Sequence, residues 1–251
     1  MVKSKSIGPE VRRPWVNGPL VNGPWVRCLT GFLLVFGAVS LSAGDIATFV
    51  DLGFSPDGRT YMFAQYGVQT KTLRPWADLY AVDVSLNDFV DGGRVSYIHG
   101  AAVVSGQDGA GALSRVLSRN AALAARYGVN FLNQGRLLYV AMDEKIPLDA
   151  IEFRDFDRNS SYRASLNSRV DGTGANLKSS FHITLEQIAP NGSTKNYIVG
   201  NPQIKRPLVT DYRISKVLIS PDDGSLILVI EERMRSASGF DIRYMVETLE
   251  L

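Results

Sequence analysis

The 251-residue chain is 45% hydrophobic and 21% charged, an ordinary globular composition. Its formal net charge of +2 depends on residues 1–43, which hold five basic residues and one acid. When these are subtracted from the chain's 27 basic and 25 acidic residues, 22 and 24 remain, a net charge of −2. A nucleic-acid-binding protein needs a surplus of Lys and Arg to displace counterions, so the composition argues against a nucleic-acid partner.

Residues 1–43 have the three-part order of a secretory signal peptide. Basic residues are scattered as far as Arg27, an uncharged run covers 28–41, and small residues follow up to Ala43 and Gly44. The uncharged run is shorter than the roughly 20 residues that span a bilayer, so we predict cleavage between Ala43 and Gly44 and no transmembrane anchor in the mature chain. Both periplasmic and secreted proteins use such a leader, so the localisation is periplasmic or secreted.

The only cysteine, Cys28, precedes the apolar run. A lipoprotein signal has its cysteine at the end of that run, so the sequence argues against a lipid anchor. The mature chain therefore has no disulfide, no thiolate nucleophile and no cysteine-based metal site. At 208 residues it is long enough to bury a core without such links.

From residue 44 onward, short apolar or alternating runs separated by Gly, Asn, Asp and Pro indicate one mainly β domain over 44–251. Ser55-Pro-Asp-Gly58 suits a tight turn, and Ser220-Pro-Asp-Asp-Gly224 repeats it near the end. A third copy is predicted over 130–140. The predicted strands cover 46–54, 60–66, 78–84, 162–170, 181–188, 195–199, 226–230 and 241–249. This pattern favours an antiparallel propeller-like or β-sandwich domain.

One α-helix is predicted to interrupt the strands, from about Asp108 to Tyr127. Its apolar residues recur on one stripe, and Gly128 follows where a C-terminal cap belongs. Arg115, Arg119 and Arg126 share the opposite side. Such a basic stripe either binds an anionic glycan or phospholipid headgroup or is an ordinary solvated face.

The repeated turn, followed by Asp78-Leu-Tyr-Ala-Val-Asp-Val84, resembles the blade repeat of TolB-type β-propellers. Nearly the whole mature chain resembles a bacterial family of predicted secreted proteins without an assigned function. The residues that carry this resemblance are Gly44-Asp-Ile-Ala, Phe49–Gly58, Tyr66-Gly-Val68, Pro75–Val84, Asn87–Gly93 and Ile242–Thr248. The resemblance implies export and a β-rich domain, and it implies no chemistry.

Catalytic and metal-binding patterns are weak. His99 and His182 lack a nucleophile motif, and His182 is predicted to be an exposed strand residue opposite Phe181 and Ile183. Asp155–Asn159 imitates the start of a calcium loop but lacks its later Gly and Glu, which favours a polar turn. No cofactor is predicted.

Two acidic pairs, Asp143-Glu144 and Glu231-Glu232, follow predicted strands. Paired carboxylates are what glycoside hydrolases use as acid and base. Adjacent residues of a strand point to opposite faces, however, so neither pair alone makes a site.

The predicted binding residues are Tyr66, Arg74 and Trp76 around the 69–76 loop, together with Arg115 and Arg119 on the helix, because Trp and Arg are common at recognition surfaces. For Trp76 the alternative is a core residue closing the first pair of strands. The sequence thus favours an exported envelope protein that binds an unknown protein or glycan, or scaffolds an assembly, without catalysis. The alternative is a cell-wall or glycan hydrolase with paired carboxylates.

Overall fold

The computed structural model describes residues 44–142, 150–237 and 239–251. The predicted leader with Ala43 and the acidic pair Asp143-Glu144 lie outside these residues. The described strands are β1 (Thr48–Phe54), β2 (Thr60–Val68), β3 (Pro75–Asp83), β4 (Asp88–Ile98), β5 (Arg136–Val140), β6 (Ala150–Asp155), β7 (Ser160–Asp171), β8 (Lys178–Ile188), β9 (Thr194–Val199), β10 (Arg206–Pro207), β11 (Val209–Ile219), β12 (Ser225–Ser236) and β13 (Gly239–Glu250). The described helices are α1 (Ala110–Arg119) and α2 (Ala121–Tyr127).

These strands form three antiparallel sheets. Sheet 1 is the meander β1-β2-β3-β4, and sheet 2 has the order β13-β12-β11-β5. Sheet 3 contains β6, β7 and β8, and the outer edge of β8 pairs with both β9 and β10. The prediction of a mainly β, antiparallel domain is confirmed.

Sheet 2 is the middle layer, because its central strand β12 is buried on both faces. Leu226, Leu228 and Ile230 pack with sheet 3, whereas Ile227 and Val229 pack with sheet 1, and all five are fully buried. Burying a side chain of this size contributes about 1.5–3 kcal/mol. The uninterrupted apolar run, unlike an alternating one, is what a strand covered on both sides requires.

Sheet 1 is also covered on both faces. Tyr61 and Phe63 of β2 face sheet 2, whereas Met62 and Ala64 face the helices, where Val116 of α1 packs against them. The layers therefore run from the helices through sheet 1 and sheet 2 to sheet 3. Opposing layers of this kind make the fold sandwich-like.

The two Ser-Pro-Asp turns have the same internal hydrogen bonds. Ser55 Oγ donates to Asp57 Oδ1 (2.6 Å) and accepts from the amide N–H five residues further on (2.9 Å). Ser220 Oγ donates to Asp222 Oδ1 (2.5 Å) and accepts from the Ser225 amide N–H (2.9 Å). Both serines are buried. The resemblance of these turns to TolB-type propellers stays a prediction.

Some predicted boundaries were wrong. Of the predicted copy over 130–140, only β5 is a strand, because Asn130 and Asn133 bond the end of β1 within a turn. The helix is divided at Asn120, whose side-chain Nδ2 donates to the Val116 carbonyl (2.7 Å), a local bond that competes with the helix ladder. Gly128 has φ +68° and caps α2, as predicted.

Candidate functional site

The candidate site is the outer face of α1, formed by Ser114, Arg115, Ser118 and Arg119, which are all exposed. The opposite face of the helix is apolar, and Val116 there is 1% exposed where it packs on sheet 1. Residues four apart lie above one another on a helix, so the serines form one row and the arginines a second row beside it. We refer to these four residues as the α1 face.

Contacts with sheet 1 orient the arginine at the end of this face. Arg119 Cζ lies 5.6 Å from the centre of the Tyr97 ring, a cation–π distance. The Tyr97 ring in turn meets the His99 ring edge-on at 6.3 Å. Arg74 Nε donates to the His99 carbonyl (2.7 Å). Two of the predicted binding residues, Arg74 and Arg119, are therefore linked through the end of β4.

Among the described residues, no acid lies close enough to neutralise the arginines of the α1 face. Arg126, which the sequence placed on the same side, pairs with Asp91 at 3.3 Å. Neither Arg115 nor Arg119 has an acidic partner within 4.0 Å in the described part of the chain.

The two predicted aromatic residues lie elsewhere. Tyr66 is half-buried and packs beside Gly109, just before α1. Trp76 is 5% exposed, and Arg243 Cζ stacks 4.2 Å above its ring. Sheet 1 is covered on both faces, so the Trp76 ring is buried on the face opposite α1 and offers no surface to a ligand. The expectation that Trp76 contributes to a recognition surface is corrected accordingly.

The acidic pair Glu231-Glu232 diverges, as strand geometry predicted. Glu231 Oε2 accepts from Arg213 Nη2 at 2.7 Å. Glu232 lies on the other face of β12, with its Oε1 3.4 Å from Arg206 Nε. Each carboxylate is thus committed to an arginine inside the stack of sheets.

A second acid, Glu247 of β13, completes a cluster that joins all three sheets. Its Oε1 lies 3.5 Å from Arg206 Nη2 of sheet 3, and its Oε2 accepts from the Asn87 amide of sheet 1. Asn87 Oδ1 also accepts from the Thr248 amide N–H (2.8 Å). Burial raises the pKa of both Glu232 and Glu247, while Arg206 opposes that rise. We call Arg206, Glu232, Glu247 and Asn87 the three-sheet clasp.

Sequence reasoning did not find the three-sheet clasp, because its members come from four separate segments. The sequence pointed to Glu232 as part of the acidic pair Glu231-Glu232, but no local signal joined it to Arg206, Glu247 or Asn87. A buried, hydrogen-bonded ion cluster of this kind joins layers, and its carboxylates are 13% (Glu232) and 6% (Glu247) exposed, too enclosed for a large substrate.

The calcium-like segment is a polar turn, as the sequence favoured. Asp155 is fully buried and pairs with Arg136 at 2.7 Å, and the same arginine lies 3.1 Å from Asp157 and 3.0 Å from Asp223. In the described ranges, no three His, Cys, Asp or Glu side chains gather in a way that could hold a metal ion. His182 lies on the face of β8 opposite Phe181 and Ile183, as predicted, but it is half-buried and not exposed.

Comparison with known proteins identifies the family. Residues 62–250, most of the chain, match the family described as "Predicted secreted protein (DUF2259)". No curated protein matches the chain. No described helix has the length and apolar character needed to cross a membrane. On the strength of the match, which extends from β2 to the end of β13, the chain belongs to this family of predicted secreted proteins.

Proposed function

We propose that residues 1–43 are a leader removed after Ala43, and that residues 44–251 form a non-enzymatic binding domain outside the cytoplasmic membrane. Its binding surface is the α1 face, and its ligand is an anionic glycan of the envelope. The observation that carries the proposal is the pair Arg115 and Arg119, exposed one helical turn apart without an acidic partner among the described residues.

The composition of the α1 face favours a glycan over a bilayer. A helix that lies in a membrane inserts apolar side chains between the lipids. In α1 the apolar residues Ala112 and Val116 are already buried against sheet 1. The exposed side instead alternates hydroxyl groups of Ser114 and Ser118 with guanidinium groups. Hydroxyl groups and forked cations together suit sugar hydroxyls and carboxylates.

The buried acids support a role without catalysis. Glu231, Glu232 and Glu247 each pair with an arginine between the sheets. This supports a structural role for these carboxylates, in which they hold the sheets together. The hydrolase alternative predicts that the protein releases soluble fragments from peptidoglycan or common glycans. Fragment release that disappears in Glu231→Gln or Glu232→Gln would favour the enzyme over the binding domain.

The binding test compares a uronic-acid polymer, polygalacturonate, with neutral dextran. The test variant is Arg115→Ala/Arg119→Ala. The matched control is Arg154→Ala/Arg235→Ala, which removes two exposed arginines from strands β6 and β12, outside the α1 face. Exposed ion pairs contribute up to about 1 kcal/mol each, so the loss of two weakens the affinity for polygalacturonate by up to about 30-fold. The control retains wild-type affinity, and dextran does not bind.

The proposal is wrong if wild-type protein binds polygalacturonate and dextran equally, or if both double variants lose affinity to the same extent. Binding to anionic vesicles that exceeds binding to polygalacturonate would assign the α1 face to lipid headgroups instead. Added salt should weaken the glycan interaction, because the field of an exposed charge decays over about 10 Å at ~0.1 M ionic strength and over a shorter distance at higher salt.

A further inference from the structure

The residues that follow the predicted cleavage point are built into the fold. Ile46 forms a parallel bridge with Ile242 of β13. The Ala47 amide N–H donates to the Ile242 carbonyl (3.1 Å), and the Ile242 amide N–H donates to the Asp45 carbonyl (2.8 Å). Residues 44–47 therefore cover the outer edge of β13, the edge strand of sheet 2. We call these four residues the N-terminal strap.

Asp45 fastens the N-terminal strap to two sheets. Its carbonyl accepts from Arg243 Nη1 (3.0 Å), and its Oδ1 accepts from the Thr70 amide N–H (2.5 Å) in the loop of sheet 1. Its own amide N–H donates to Asp241 Oδ1 (2.8 Å). Arg243 is held in turn by the buried Trp76 ring, 4.2 Å from its Cζ.

Gly44 fits a place that admits no side chain. A Cβ atom at this position would lie 1.7 Å from the Phe240 carbonyl oxygen, and even the flexible Asp241 Oδ1 would be 2.8 Å away. The first contact is with backbone, which a small shift does not relieve. The same geometry brings the backbone of residue 44 beside the Asp241 carboxylate.

From this geometry we infer that Asp241 is the binding group for the α-ammonium of the mature protein. Hydrolysis of the bond between residues 43 and 44 adds one water, leaves a carboxylate on the leader and forms an ammonium group on Gly44. Asp241 already accepts the neighbouring amide N–H, and its remaining lone pairs accept from this new cation. Leader removal thereby adds a charge-assisted contact that holds the N-terminal strap on β13.

Other charged groups surround this position. The Asp45 carboxylate is engaged by Thr70 and lies 3.5 Å from Arg243 Nη2. Arg233 Cζ stacks 4.2 Å above the Phe240 ring. Both arginines disfavour an added cation, and both aspartates favour it. Because Thr70 and Arg243 already engage the Asp45 carboxylate, the Asp241 carboxylate is the group that we expect to stabilise the cation. The inference rests on the proposed removal of the leader after Ala43, but it uses no residue of the α1 face and is independent of the glycan proposal.

The test expresses the full chain in a host that exports it and isolates the product from outside the cytoplasm. Mass spectrometry of the N-terminal peptide should show Gly44 as the first residue. The α-amine is then acetylated with limiting reagent at about pH 7, where only the uncharged amine reacts. A paired terminus has a pKa above the ~7.7–8.0 of a free one, and each unit of increase slows acetylation about tenfold.

We expect the wild-type terminus to react about tenfold more slowly than that of Asp241→Asn. Asparagine retains the Oδ1 acceptor for the Asp45 amide N–H and removes only the charge. Asp88→Asn, an exposed acid in sheet 1, is the matched control and should react like the wild type. In urea all three proteins should react at one rate.

A product that begins at another residue would overturn the inference, as would equal acetylation of folded wild type and Asp241→Asn. If Asp241→Asn does not fold, NMR titration of the wild-type α-amine decides instead. An α-amine pKa at or below ~8 in the folded wild type would then contradict the pairing.

Discussion

Replacing Arg206 by methionine tests the three-sheet clasp most severely. Methionine keeps much of the length of the side chain, so the change removes the charge without opening a large cavity. Glu232 and Glu247 then lose the cation that lies 3.4 and 3.5 Å from them. Both carboxylates are largely buried, and removing one partner of a buried ion pair costs about 3–5 kcal/mol. We expect the free energy of unfolding at about pH 7 to fall by that amount.

The loss should depend on pH in a definite direction. Burial raises the folded-state pKa of Glu232 and Glu247 above the ordinary 4.5, so the native state binds more protons than the unfolded chain. Stability from these groups is therefore present below the ordinary pKa and is lost as the pH rises through the raised folded pKa. Arg206→Met removes the cation that limits this rise. Its penalty should be largest near neutral pH and smaller at about pH 5.

Urea unfolding at the two pH values measures both effects. Arg163→Met is the control, because Arg163 pairs with Glu152 on the surface, with side chains 58% and 75% exposed, and should cost less than about 0.5 kcal/mol. Adding Glu232→Gln and Glu247→Gln to Arg206→Met should recover most of the loss, since no buried charge then lacks a partner. A loss below about 1 kcal/mol, or one that does not change with pH, would refute the reasoning.

Two further predictions concern buried polar groups. Ser220→Ala leaves the buried Ser225 amide N–H without its acceptor, so the free energy of unfolding measured in urea should fall by about 1–3 kcal/mol. The control Ser193→Ala, at an exposed serine, should lower it by less than about 0.5 kcal/mol. Burial, reinforced by a nearby acid, raises the pKa of Tyr80 and of Tyr244 to about 12. In an alkaline absorbance titration, Tyr244→Phe should therefore remove a step near pH 12. Because the folded-state pKa lies above the ordinary 10, the wild-type protein should lose stability as the pH rises through 10 to 12. Loss of a step near pH 10 instead would show an unperturbed phenol.

Local sequence patterns were enough to predict a strand that packs on a single layer and a helix that ends at a clear cap. The alternation over 162–170 lies within β7, and Gly128 ends α2 where the sequence expected a cap. Strand β4 was missed because it is an edge strand with Gly92 and Gly93 at its centre and mostly exposed side chains, so it carries no strong alternation.

The sequence could identify the basic side of the helix but not which predicted residues would meet. Arg115 and Arg119 are close in sequence and share a helix face, so spacing alone places them together. The sequence could not decide whether Trp76 is exposed or buried. Its burial depends on sheet 2 covering the second face of sheet 1, and that packing joins residues far apart in the sequence. The three-sheet clasp depends on the same stacking, and no local signal joins Arg206 to Glu247.

The central claim, that the α1 face binds an anionic glycan, is tested most directly by NMR. The exported, processed protein is labelled with ¹⁵N and titrated with short polygalacturonate oligomers. The account predicts that the largest amide shifts fall within residues 110–119 and at the Tyr97 end of β4, and that they are reduced by added salt. Shifts confined to sheet 3 or to the turns, with residues 110–119 unchanged at saturation, would contradict it.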